Sequence, residues 1–198
     1  GSLPKGKKNR INKKDVIQFA KGNVDKTLEL QMETPKSSVL QFYSAYTPVC
    51  TKTNVALSVG KYVLDMIYTK EIREKEGGTY GVGVSMAGHR SPQERTLIQI
   101  AFDTDPEKAE KLSTIAKDLL QKFAAEGPTA EELSMAIENM KKNIPEQRIS
   151  NNYWLSVLSM WDEHGIDYNK EYEKAVNEVT PEDVVKVLGK LLKQNNCI

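Results

Sequence analysis

Arg73 and Tyr80 stand seven residues apart around Gly77-Gly78, in the string Arg73-Glu-Lys-Glu-Gly-Gly-Thr-Tyr80-Gly-Val-Gly-Val-Ser85. A guanidinium and a phenol are donors of different reach, one charged and one phenolic. A long helical pattern precedes the glycines and an alternating, strand-like pattern follows them. Glycine enters the left-handed backbone region that ends helices. The junction therefore puts Arg73 on the last helical turn and Tyr80 at the mouth of a strand. Two donors so placed can face one space and grip an extended polar backbone. A cation stabilising its own helix C-terminus, beside a tyrosine packed on Val82 and Val84, would give the same string.

Other chemistries find little support. Only His89 and His164 are present, whereas a catalytic zinc site draws three protein ligands together. Neither His-x-x-Glu-His nor His-Glu-x-x-His occurs. The nearest string, Met160-Trp-Asp-Glu163-His164, lacks the first histidine and is read as chance. His164-Gly165 reads as a helix end, where an imidazolium suits the dipole, and His89 as an exposed loop residue. There is no Gly-x-Ser-x-Gly elbow and no phosphate loop. The glycines of Gly81-Val-Gly-Val-Ser85 lie on a strand with no helix opening behind them. Cys50 has no histidine nearby in sequence, so nothing supports it as a nucleophile. Read from its residues alone, the chain is not a self-sufficient enzyme, and it has no catalytic or metal-binding residue of its own.

The elements that must position Arg73 and Tyr80 come from 198 residues, enough for one full core. A composition 39% hydrophobic and 28% charged is that of a soluble globular protein. The net charge of +1 gives no electrostatic reason to expect nucleic acid or an anionic membrane as partner. No apolar run approaches the roughly 20 residues of a membrane helix, and no secretory leader is visible. Two cysteines are too few for a disulfide framework. The compartment stays open, a periplasmic or exported parent being one reading.

Residues 1–25 begin with Lys5, Lys7, Lys8, Arg10, Lys13 and Lys14, and read as a basic linker ahead of a domain over 26–198. Residues 26–34 alternate, with Leu28, Leu30 and Met32 on one side, as in a strand with one wet face. Residues 38–46 make a second strand, with Leu40 and Phe42 opposite Val39 and Tyr43. Residues 52–76 read as one long helix, in which Gly60 marks close packing. Strands follow over 79–86 and 95–103. Residues 105–125 form a helix with Leu112, Ile115, Leu119 and Phe123 on one stripe. Thr129-Ala-Glu-Glu132 is a capping box, and the helix it opens is expected to break or kink at Pro145. Trp154, Leu155, Leu158 and Trp161 are read as a core stripe. Thr180-Pro-Glu-Asp183 opens the last helix, stapled by Val179 and Val184. Cys197-Ile198 is read as part of a further strand. Half-wet strands followed by several helices predict an α+β fold, an antiparallel or mixed sheet covered on one face.

The stretch from Ile72 to Val82 resembles a hallmark of the insulinase/pitrilysin-type zinc metallopeptidases, which include mitochondrial processing peptidase. It is similar to their carboxy-terminal domain, which binds no zinc. There an arginine ends a long helix and a tyrosine follows seven residues later, the spacing of Arg73 and Tyr80. Thr27–Tyr46, the helix to Glu76, Phe102-Asp-Thr-Asp-Pro106, Gly127–Glu132 and Val179–Asp183 fall in the family's order. Gly1-Ser-Leu-Pro4 is similar to the end of a preceding family domain. The resemblance implies a processing-peptidase-like two-layer sandwich and a pair of homologous halves around a chamber. It implies an amino-terminal partner that supplies zinc through His-x-x-Glu-His and a distant glutamate. Arg73 and Tyr80 would then bind the peptide backbone and support the tetrahedral intermediate, and this chain alone would be inactive. A structural or assembly subunit, and a peptide-binding module with an open sheet edge, are the competing readings.

Overall fold

A computed structural model describes residues 18–31 and 33–198. The basic residues between Lys5 and Lys14 lie outside the described residues, as does Met32.

Three strands form one antiparallel sheet in the order β1–β3–β2: β1 (Ser37–Ala45), β2 (Val82–His89) and β3 (Arg95–Thr104). Val39 and Val82 flank Phe102, Gln41 and Val84 flank Ile100, and Tyr43 and Met86 flank Ile98. Successive strand side chains point to opposite faces, so these residues share one face, and Tyr43, Val84, Ile98, Ile100 and Phe102 are buried there. Leu40 and Phe42 point the other way and are exposed. On the buried face Gln41 bonds the Ser113 carbonyl at 2.8 Å, and the Tyr43 hydroxyl donates to Gln41 at 2.9 Å.

The covering layer is helical: α1 (Thr51–Tyr68), α2 (Ala109–Glu126), α3 (Ala130–Ile149), α4 (Asn151–His164), α5 (Tyr168–Glu178) and α6 (Pro181–Lys193). This is the expected α+β architecture, helices on one side of an antiparallel sheet. Capping boxes at Thr129/Glu132 and Thr180/Asp183 start α3 and α6 where the sequence places them. Val179 and Val184 are both buried, as a staple requires. Gly165, at φ 68°, ends α4 just after His164. Inside α1, a Cβ on Gly60 would lie 3.3 Å from Met86 Sδ and 3.8 Å from both Leu188 and Phe123. The helix therefore seats directly on β2, α2 and α6.

Several expectations need correction. Residues 26–31 form no strand, and Leu28 and Leu30 are 83% and 72% exposed. The edge of β1 from Phe42 to Ser44 is instead taken by the C-terminal residues. Phe42 and Ile198 exchange backbone bonds at 2.8 and 2.9 Å, and the Ser44 amide donates to Asn196. Val24 in turn pairs with Cys197 on its far side. The helix over 52–76 is α only to Tyr68, and Thr69–Lys75 is π-helical. The Thr69 hydroxyl donates to the Asp65 carbonyl at 2.7 Å where the spacing widens. Pro145 does not break α3, which runs on to Ile149. Both Pro145 and Lys141 are exposed, so water can serve the carbonyl that the proline leaves unbonded. Trp154, Leu155, Leu158 and Trp161 are not core: α4 meets α3 and α5 through the side bearing Val157, and the stripe faces outward.

Gly60→Leu should lower stability by about 1–3 kcal/mol through overpacking, read as a fall in the urea midpoint. An unchanged midpoint would show slack between α1 and β2.

Candidate functional site

The π-helical turn is anchored by Ile72, which is fully buried, while Arg73 and the Lys75–Glu71 pair at 2.6 Å stay on the surface. Glu76 pairs with Lys111 of α2. Gly77, at φ 57°, then reverses the chain in the left-handed conformation the sequence predicts. Gly78 is buried. Its carbonyl accepts from the Thr104 hydroxyl at 2.6 Å, and a Cβ there would come within 2.6 Å of Leu112. The Thr79 hydroxyl donates to the Gly81 carbonyl at 3.0 Å and accepts from the Gly81 amide at 3.3 Å. This closes a small turn with Tyr80 at its apex.

Tyr80 is 99% exposed, so it does not pack on Val82 or Val84. It lines an open groove of about 970 Å³ formed by residues 34–36, 77–81 and 101–105, with Ser38 and Leu40. Arg73 is not among the residues lining that groove. It lies on the preceding turn, across the Gly77 reversal, with no ion pair to any described residue. The two donors thus bracket one reversal, and only the phenol stands on the groove wall.

Sequence reading missed the charged wall of this groove. Asp103 accepts from the Ser38 hydroxyl at 2.6 Å and pairs with Lys36 at 2.7 Å. The hydrogen bonds from Lys36, then Ser38, pull its carboxyl below the usual value. The signal is the cross-strand register Ser38↔Asp103, which one sequence does not reveal.

The remaining candidates stand apart. His89 closes β2 and is exposed, and His164 closes α4. Cys50 caps α1 through its sulfur. Partial burial opposes its ionisation, but hydrogen bonds with Thr53 outweigh that and lower its pKa. Among the described residues no three of His, Cys, Asp and Glu converge to hold a metal. The described residues therefore offer no donor set that fits zinc.

Protonation of Asp103 should release Lys36. Because its folded pKa is lowered, the tie is complete above the ordinary aspartate range and is lost as pH falls through the depressed value. An NMR titration should show the Asp103 carboxyl titrating below a free aspartate and returning toward it in Lys36→Ala. Equal midpoints would remove the pair from the groove wall.

Comparison with known proteins bears on the family and the fold. Residues 1–140 match the family described as the peptidase M16 inactive domain. A curated relative, "Probable zinc protease PqqL" of Escherichia coli strain K12, is 29% identical over 134 residues. That match covers 66% of this chain and 14% of the relative. The crystal structure of the periplasmic protease PqqL superposes with a TM-score of 0.75 at 23% identity, over 88% of this chain and 19% of that one. An M16 inactive domain from Pseudomonas fluorescens gives 0.65 at 21% identity, over 83% and 40%. An inactive peptidase domain from Bordetella parapertussis gives 0.66 at 15% identity, over 85% and 90%. The chain spans well under a quarter of PqqL, yet nearly all of the Bordetella domain. The protein belongs to the peptidase M16 family, as a member of its inactive domain.

Proposed function

We propose that this domain is the substrate-gripping half of a zinc metallopeptidase, working beside a homologous half that carries the metal. The observation that supports it most is Tyr80: a fully exposed phenol on a glycine-framed turn, standing on the wall of a long groove. The Thr79–Gly81 turn holds it out into solvent. The groove offers strand ends, backbone groups and the Lys36–Asp103 pair, which suit an extended polypeptide.

In this reading the companion half would hold the zinc, which would supply an activated water. Tyr80 donates its hydroxyl proton, as a hydrogen bond, to the scissile carbonyl oxygen as negative charge grows there. Arg73, unpaired among the described residues, binds a backbone carbonyl further along the peptide. Peptides or small proteins are the substrate class. The periplasm, where the PqqL relative works, is the proposed compartment.

The isolated chain should show no chelator-sensitive proteolysis and should restore turnover when added to the zinc-bearing half. In that pair Tyr80→Phe should lower kcat by about 10²–10³, the usual loss for one oxyanion donor, with unfolding unchanged. Unaltered kcat would leave the phenol without a chemical role. Arg73→Ala should raise KM roughly tenfold or more, as loss of a charged hydrogen bond does. An unaltered KM would count against the clamp.

A further inference from the structure

We infer that the outward face of α4 is the surface by which this domain binds the zinc-bearing half, an inference that rests on the two-half reading above. The eleven residues from Asn151 to Trp161 contain no charged side chain, in a chain that is 28% charged. A helix face meant for water carries charges. This one instead presents Trp154, Leu155, Leu158 and Trp161, the last two 64% and 61% exposed. Ile149, the last residue of α3, is 84% exposed as well. Positions 154, 158 and 161 stack along one stripe; Val157 borders that stripe on the side where the helix meets the domain and is buried.

The four side chains offer on the order of 450 Å² of apolar surface, within the range of a monomer's largest patch and about half of the roughly 800 Å² that each partner gives to a stable interface. Tryptophan enrichment with charge depletion is the composition of an interface centre.

The face is also held ready. The Trp154 indole donates to the Arg148 carbonyl at 2.8 Å, so its polar atom is satisfied from within and its ring is left to an apolar partner. Arg148 and the Tyr153 hydroxyl both donate to Asn169 at 3.0 and 2.8 Å, and Arg148 pairs with Glu173 at 2.9 Å. These bonds tie the α3–α4 corner to α5.

The occupant follows from charge and length. A face without charges has no means of steering a transient partner and fits a permanent neighbour. The same fold recurs in proteins of which this chain spans 19% and 40%, so its ordinary neighbour is another domain.

Both tryptophans of the chain lie on this face, so their fluorescence reports on it directly. The chain can be tested alone, since the Bordetella domain of nearly the same extent was solved as a separate chain. Adding the separately produced zinc-bearing half should shift emission to the blue and suppress iodide quenching. Leu158→Glu with Trp161→Glu should keep the circular dichroism and weaken association, measured by calorimetry, at least ~30-fold. Leu155→Ser with Trp161→Ala serves as a milder pair should the charges disturb folding. Full-strength binding by a folded variant would overturn the inference and leave the two-half reading standing. Halves that neither bind nor restore turnover would overturn both. A wild-type homodimer that the variant dissolves would assign the face to a second copy and overturn the occupant proposed here.

Discussion

The close seating of α1 on the sheet is the constraint from which the rest of the structure follows. At Gly60 the helix has no side chain, and a Cβ there would press on Met86 at 3.3 Å and touch Leu188 and Phe123 at 3.8 Å, leaving no room for more. That contact fixes the height and direction of a rod whose far end becomes the π-helical turn, pinned by Ile72. Gly77 then reverses the chain in a conformation that costs most residues about 1–2 kcal/mol. The path into β2 is set by the buried Gly78 carbonyl on Thr104. Tyr80 stands where it does because packing on one side and a backbone reversal on the other leave it no inward option.

One-sidedness is the second theme. Helices cover only the face of the sheet that carries Tyr43, Val84, Ile98, Ile100 and Phe102. Leu40 and Phe42 on the other face, and the stripe on α4, remain in contact with water. A domain that left so much apolar surface wet would be poorly soluble at high concentration. The arrangement is intelligible for a unit whose relatives occur in far longer chains.

Local chemistry was readable and tertiary choice was not. Capping boxes at Thr129 and Thr180, the Gly77 reversal and the Gly165 stop each depend on a few adjacent residues, and each lies where the sequence puts it. Alternation at Leu28 and Leu30 shows that a strand could form, but not that a partner edge is free, and Asn196–Ile198 hold that edge at Phe42–Ser44. Periodicity shows that Trp154, Leu158 and Trp161 share a face, but not that Val157's side is the one that packs. In α2 the predicted stripe is rotated slightly: Ala116 and Leu120 are fully buried where Ile115 and Leu119 are only partly so. Around Gly77-Gly78, spacing put Tyr80 just past the reversal, where it stands. The Lys36–Asp103 wall arises from strand pairing, and the π-helical turn beneath Arg73 has no motif that announces it.

The role proposed for Tyr80 requires that its phenol touch substrate. A crystal structure of the proposed assembly with a zinc-bearing half, inactivated and with a peptide bound, measures this directly. The prediction is a Tyr80 Oη within about 2.6–3.2 Å of a peptide oxygen, with the chain extended along the groove. A peptide bound elsewhere, with the phenol still in solvent or packed against the companion domain, would contradict it.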